Sequence, residues 1–80
     1  MTHSDYHARA ELHLGRDRKT ALAQGGRDFS TAAKALRFAF EEAAPVSLRG
    51  AQLRIGERLY AGDQLAALYR DRRYPLRRKA

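Results

Sequence analysis

Two segments of this chain alternate strictly between apolar and polar residues, and this alternation is the strongest constraint on how the chain folds. Residues 8–14 carry apolar side chains at the even positions, and residues 51–55 carry them at the odd positions. Because alternate side chains of a strand point to opposite faces of a sheet, each segment is predicted to be a strand with one buried face. The fold is therefore expected to contain a sheet with a core on one side.

The most regular helical pattern lies between these two strands, over residues 31–43. Ser30 is predicted to cap this helix, and Pro45 ends it. At 100° per residue, the residues that share one apolar face are Ala32, Ala33, Leu36, Ala39, Phe40 and Ala43. Phe38 falls on the opposite, polar side of the helix. We expect Phe38 to be covered by a later segment of the same chain, or else to contact a partner or a second subunit.

A hairpin is predicted over residues 51–61, around the Gly-Glu pair at 56–57. A two-residue turn would place Leu53 and Tyr60 on the same face of the sheet. A three-residue turn would place Leu53 and Leu59 there instead. The residue pattern is compatible with both registers.

The segment at residues 19–24 fits two different structures. It is either a second strand, which completes a hairpin with residues 8–14, or a short helix capped by Asp17. We favour the strand, because so short a helix is marginal without tertiary support. A last helix of about ten residues is predicted, with Asp63 as its cap and with Tyr74-Pro75 as its stop.

Together these elements predict an α+β fold, with a small antiparallel sheet of two hairpins packed against two helices. The chain order ββαββα is compatible with the pattern. Its 80 residues suffice for one small domain. We expect this domain to span residues 8–76, between a flexible N-terminus at residues 1–7 and a flexible basic tail at residues 77–80.

The positive charge of the chain is concentrated near its C-terminus. The net charge is +7, and residues 70–80 contribute +5, from six cations and one carboxylate. The cations are Arg70, Arg72, Arg73, Arg77, Arg78 and Lys79. Arginine binds phosphate oxygens in a bidentate manner, and Tyr74 lies among the cations as a candidate for stacking on a base. We therefore predict a non-catalytic module that associates with DNA or RNA through these residues.

A second hypothesis is a protein-interaction or homodimeric accessory protein. Phe38 and a sheet edge would then form the contact, and the basic tail would serve solubility or an acidic protein surface. The two hypotheses differ in the residues they require. The charge cluster carries the first, and the misplaced Phe38 carries the second.

Several classes of function are excluded or disfavoured by residue content. The chain has no cysteine, so it has no disulfide and no cysteine-ligated metal centre. No apolar run is long enough to cross a bilayer, and no secretory signal pattern is present, so a cytoplasmic protein is expected. His3, His7, Glu11 and His13 lie close in sequence, but no helical pattern or further ligand completes a metal site. We expect no metal, no cofactor and no enzymatic activity.

Two resemblances to known families are present. Residues 26–37, Gly-Arg-Asp-Phe-Ser-Thr-Ala-Ala-Lys-Ala-Leu-Arg, resemble the turn and second helix of ribbon-helix-helix DNA-binding proteins. That resemblance implies that residues 8–14 form the ribbon and that Arg9, Glu11 and His13 read the bases. A second pattern starts with Phe29-Ser30-Thr31-Ala32-Ala33 and ends with Tyr74-Pro75-Leu76. This pattern is similar to that of small bacterial proteins of unknown function. The second resemblance implies no activity.

Overall fold

A computed structural model describes residues 3–77 of the chain. In chain order the elements are α1 (His3–Tyr6), β1 (Ala10–His13), α2 (Arg18–Ala23), β2 (Arg27–Phe29), α3 (Ala32–Arg37) with a π-helical extension (Phe38–Glu42), a 3₁₀ turn (Pro45–Leu48), β3 (Gln52–Ile55), β4 (Arg58–Ala61) and α4 (Asp63–Arg70). The strands form one sheet in the order β2-β1-β3-β4, and every neighbouring pair is antiparallel. The predicted α+β fold with a small antiparallel sheet is confirmed.

The apolar faces of the strands and helices meet on one side of the sheet, which we call the inner face. Leu12 pairs with Leu53 across β1 and β3, and both side chains are buried there. Leu36 of α3 and Leu65 of α4 pack against them. The buried side chains of α3 are otherwise alanines, at positions 32, 33, 35 and 39, and their small size lets the helix approach the sheet closely. The periodicity of residues 31–43 thus predicted the helical layer correctly.

The helix begins one residue later than predicted. Thr31, not Ser30, caps α3, because the Thr31 hydroxyl accepts the Lys34 backbone N–H at 3.2 Å. Both residue types favour this position, and only the path of the chain leaving β2 decides between them. The helix then ends in a π-turn that the Ala43 N–H closes by donating to the Phe38 carbonyl.

The strand favoured over residues 19–24 is wrong. This segment lies in the helix α2, and the Asp17 carboxylate caps it by accepting the Thr20 backbone N–H at 2.7 Å. The second strand of the sheet is instead β2, which pairs with β1 through Ala10 opposite Phe29. The order ββαββα therefore holds for the sheet, α3 and α4, with α2 inserted in the first connection.

The hairpin of β3 and β4 has the two-residue turn. Leu53 pairs with Tyr60, and Ile55 pairs with Arg58. The two residues between these strands, Gly56 and Glu57, therefore form the loop. Gly56 has a φ of +59°, and within residues 3–77 only glycines have a positive φ. A positive φ at the first loop position alone corresponds to a type II′ turn, which matches the twist of the strands.

The opposite, outer face of the sheet is partly covered by α2. Two glycines bring α2 and its N-cap close to the ends of β1 and β3. A Cβ at Gly15 would lie 2.5 Å from the Ala21 nitrogen, and one at Gly50 would lie 2.0 Å from the Asp17 carbonyl carbon. The Gly50 N–H also donates to the Gly15 carbonyl at 2.9 Å. These backbone contacts explain how so short a helix is held in place.

Two tyrosines from the ends of the chain lie in the core. Tyr6 is fully buried, and its hydroxyl donates to the Leu68 carbonyl at 2.7 Å. The predicted flexible segment, residues 1–7, thus supplies a core side chain. The Tyr6 ring meets the ring of Tyr74 edge-on at 6.1 Å.

Within residues 3–77, no helix combines the length and the apolar character needed to cross a membrane.

Candidate functional site

The basic C-terminal segment follows α4 as a defined turn. The Tyr74 backbone N–H donates to the Asp71 carbonyl at 3.0 Å, and the Arg73 N–H donates to an Asp71 side-chain oxygen at 2.8 Å. The second bond is the one by which aspartate commonly stabilises a turn. Arg72 and Arg73 therefore occupy the two central positions of the turn, with their side chains exposed.

Tyr74 anchors this turn to the helices. It is only 6% exposed, and its hydroxyl donates to the Ala33 carbonyl of α3 at 3.3 Å. Its ring lies 5.0 Å from that of Tyr69. Tyr74 was predicted as an exposed group that stacks on a base, and in this structure its ring is enclosed by the core instead. Burial of the Tyr74 ring fixes the position of the turn that carries Arg72 and Arg73.

We define the C-terminal arginine surface as Arg70, Arg72, Arg73 and Arg77, all of which are exposed. Arg73 Nε lies 3.9 Å from Asp71 Oδ1, with 64% of its side chain exposed. Arg70, Arg72 and Arg77 form no ion pair with any residue between positions 3 and 77. The predicted cations Arg78 and Lys79 lie outside the described residues.

Phe38 is half-buried, and two side chains from an earlier segment of the chain lie against it. The Phe29 ring of β2 lies 5.6 Å from the Phe38 ring, and the Arg27 guanidinium lies 4.5 Å above its centre. A guanidinium at this distance makes a cation–π contact. This arrangement accounts for an aromatic residue on the polar side of α3. A contact between Phe38 and a partner stays a prediction.

Two of the three residues assigned to base reading by the ribbon-helix-helix resemblance, Glu11 and His13, lie on the central strand β1. β1 is paired on both sides, with β2 and with β3. Glu11 and His13 lie on the outer face, where His13 Nε2 is 2.7 Å from Glu11 Oε1. Arg9, just before the strand, is exposed. The role that the resemblance implies for these residues stays a prediction.

A second candidate site, which no sequence pattern indicated, is a cavity of about 310 Å³ between α2 and the outer face. Its lining residues are His13, Leu22, Gln52, Arg54, Glu57 and Leu59. His13 and Gln52 pair directly across β1 and β3, and Gln52 is only 2% exposed. The signal in the sequence was a polar residue at a matched position of each alternating segment. Such residues ordinarily face solvent, so nothing local indicated that they are enclosed.

The site's chemistry is limited by the side chains that lie together. Over residues 3–77, no three histidine, cysteine, aspartate or glutamate side chains are close enough to bind a metal ion. Elsewhere, Asp17 has a lowered pKa because the Thr20 backbone N–H and hydroxyl stabilise its carboxylate. Arg58 has a raised pKa because it bonds to Tyr60 and faces Asp5. The two candidate sites are therefore a cationic surface and a polar cavity.

Comparison of this chain with protein-family models, with curated proteins and with solved structures finds no match.

Proposed function

We propose that this protein is a small, non-catalytic module that associates with nucleic acid by binding its phosphate backbone through the C-terminal arginine surface. One observation carries this proposal: the Asp71–Tyr74 turn displays Arg72 and Arg73 side by side while Tyr74 is held in the core. A surface positioned in this way loses less conformational freedom on binding than a free tail would. Guanidinium groups bind phosphate oxygens with paired hydrogen bonds.

The burial of Tyr74 favours backbone binding over base recognition. Stacking of an aromatic ring on a base is what usually strengthens binding to single strands, and the Tyr74 ring is enclosed by Tyr6 and Tyr69. Phosphate contacts fix the position of a protein on nucleic acid and carry no sequence information. The proposed binding is therefore independent of base sequence and strongly dependent on salt. The proposal includes a cytoplasmic location, where nucleic acid is accessible.

The test is a fluorescence-anisotropy titration of random duplex DNA and single-stranded RNA across a salt series. Arg72→Gln combined with Arg73→Gln removes two charges from the proposed surface. Each lost phosphate contact on duplex DNA should reduce the slope of log affinity against log salt by about 0.9, so the double variant should lose up to about 1.8.

The matched control is Arg16→Gln combined with Arg18→Gln. These two arginines are also exposed, but Arg18 is the first residue of α2 and Arg16 lies just before its N-cap. Both therefore lie away from α4 and the C-terminal arginine surface. The control lowers the net charge by the same amount. It should keep most of the salt dependence. Equal losses in the two double variants, or no binding by the unmodified chain near physiological salt, would contradict the proposal.

A second candidate function is self-association or partner binding through the edge of β2. β2 is an edge strand, and its Phe29 packs on the half-buried Phe38 beside it. Unpaired backbone groups at a sheet edge are a template for pairing with another chain. Sedimentation of the unmodified chain and of Phe38→Ser at high concentration tests this candidate. A monomeric mass for both, with retained secondary structure, removes the self-association form.

A further inference from the structure

A second group of exposed cations lies around a cleft between β2 and α3. The cleft has a volume of about 260 Å³, and its lining residues are Phe29, Lys34, Arg37, Phe38 and Glu42. Arg27 joins this group, because its guanidinium lies 4.5 Å above the centre of the Phe38 ring. We call the three cations, Arg27, Lys34 and Arg37, the α3 cationic surface.

Two of these cations are held in place by groups that carry no charge. The Arg27 guanidinium lies over the aromatic ring of Phe38, and Lys34 Nζ donates to the Ser30 hydroxyl oxygen at 3.3 Å. All three cations are exposed, and none forms an ion pair with a carboxylate within residues 3–77. Their charges are therefore positioned but not neutralised, which favours the binding of an anion from outside the chain.

The carboxylates nearest in sequence compensate this positive charge only in part. Asp28 pairs with Glu11 on the outer face, because alternate residues of β2 point to opposite sides of the sheet. Glu41 accepts a hydrogen bond from the Tyr69 hydroxyl at 2.6 Å. Of these carboxylates, Glu42 is the one that lines the cleft. With three cations and one carboxylate, this part of the molecule is positively charged.

The α3 cationic surface adjoins the C-terminal arginine surface. The Tyr74 hydroxyl donates to the Ala33 carbonyl at 3.3 Å, so the arginine-bearing Asp71–Tyr74 turn lies against α3 at this residue. Lys34 directly follows Ala33, and Arg37 lies about one helical turn beyond it. At 100° per residue, Arg37 and Lys34 lie about 40° and 100° around the helix from Ala33. The two groups of cations are therefore neighbours on the molecule.

We propose that the α3 cationic surface is a second phosphate-binding site for the nucleic acid that the C-terminal arginine surface binds. This inference rests on the proposed function, and it extends the contact from the turn after α4 across the exposed side of α3 to β2. Each cation holds a backbone phosphate and displaces a counterion from it. Duplex DNA can reach both surfaces at once, because each of its strands carries a phosphate about every 3.4 Å along the helix axis.

The first test is a fluorescence-anisotropy titration of random duplex DNA across a salt series with Lys34→Gln combined with Arg37→Gln. Both residues are exposed on α3, and glutamine is a good helix former, so this α3 double variant should fold. We expect its slope of log affinity against log salt to fall by up to about 1.8, since each lost phosphate contact accounts for about 0.9. The control Arg16→Gln combined with Arg18→Gln lowers the net charge equally and should keep most of the slope.

The outcomes separate this inference from the proposed function. If the α3 double variant keeps the slope of the unmodified chain while Arg72→Gln combined with Arg73→Gln reduces it, the inference is overturned and the proposed function stands. If only the α3 double variant reduces the slope, the phosphate site on α3 is supported and the role of the C-terminal arginine surface is overturned. Equal losses in the α3 double variant and in the control would mean that net charge alone sets the slope, which overturns the inference. Absence of binding by the unmodified chain overturns both.

The second test concerns the end of the surface at β2. Arg27→Gln should reduce the slope by up to about 0.9, whereas Arg27→Lys keeps the charge and should keep the slope. A residue that only stabilised the fold by covering Phe38 would change the Tm and leave the slope unchanged. Both variants are therefore compared at a temperature at which circular dichroism shows each of them to be folded. Equal slopes for Arg27→Gln and the unmodified chain would overturn the extension of the contact to β2.

Discussion

Removal of the Tyr74 side chain should be among the most destabilising single changes in the C-terminal half of the chain. Tyr74 is 6% exposed and contacts the rings of Tyr6 and Tyr69. Replacement of a buried aromatic residue by alanine costs about 3–5 kcal/mol. A domain of 80 residues has a total free energy of unfolding of about 4–12 kcal/mol. We therefore expect Tyr74→Ala to lower the Tm by at least about 12 °C.

The matched variant Tyr74→Phe keeps the ring and removes only the hydroxyl. The lost hydrogen bond to the Ala33 carbonyl is long, at 3.3 Å. Its loss should therefore cost about 0.5 kcal/mol, at the low end for a neutral pair. Urea unfolding followed by far-ultraviolet circular dichroism measures both variants against the unmodified chain. A cost below about 1 kcal/mol for Tyr74→Ala would refute the reasoning, because the arginine-bearing turn would then not be anchored in the core.

This anchoring also determines how the basic segment is best tested. A chain ended at Arg73 lacks Tyr74, so it should lose stability together with charge, and loss of nucleic-acid binding by it would not separate the two causes. Tyr74→Phe retains the turn and should retain the salt dependence of the unmodified chain. Unequal salt slopes for these two full-length proteins would contradict a purely positioning role for Tyr74.

Three further predictions concern other parts of the fold. Gly50→Ala should lower stability by about 1–3 kcal/mol in thermal unfolding, because its Cβ would overlap the Asp17 backbone; full stability would contradict this close approach. Because the pKa of Asp17 is lowered in the folded state, its carboxylate adds stability above the unfolded pKa of about 4, and this stability is lost as the pH falls. Asp17→Asn, whose side chain can also cap the helix, should lose less stability between neutral and acidic pH. Arg27→Gln should cost about 0.5–1 kcal/mol in urea unfolding by removing the cation over Phe38, whereas Arg27→Lys should cost less.

Local periodicity predicted the main framework of this fold. The alternation in residues 8–14 and 51–55 correctly predicted β1 and β3, and the apolar stripe of residues 31–43 predicted the helix on their inner face. These predictions succeed because the period of a strand or helix determines which side chains share a face, whatever the rest of the chain does. The capping role of Asp17 was also visible, as the alternative to the strand that we favoured.

The misplaced elements are short and depend on contacts with distant segments. β2 spans only Arg27–Phe29, with no alternating pattern to reveal it, and it exists because β1 offers it a partner. α2 is a six-residue helix whose position depends on the close approach at Gly15 and Gly50. Helices and strands this short gain little from intrinsic preference, so tertiary contacts decide their structure.

For the candidate sites, too, some properties follow from the sequence and others only from the tertiary structure. The arginine cluster and its charge are properties of the sequence by itself, because they need only a count of residues 70–80. That Tyr74 is an anchor and not a stacking group follows only from the return of the chain across α3. Likewise, His13 and Gln52 have the pattern of solvent-facing strand residues, and only the tertiary structure buries Gln52 and leaves one polar atom of each side chain without a partner. The physical reason is that periodicity assigns a side chain to a face, while burial depends on what the rest of the chain places against that face.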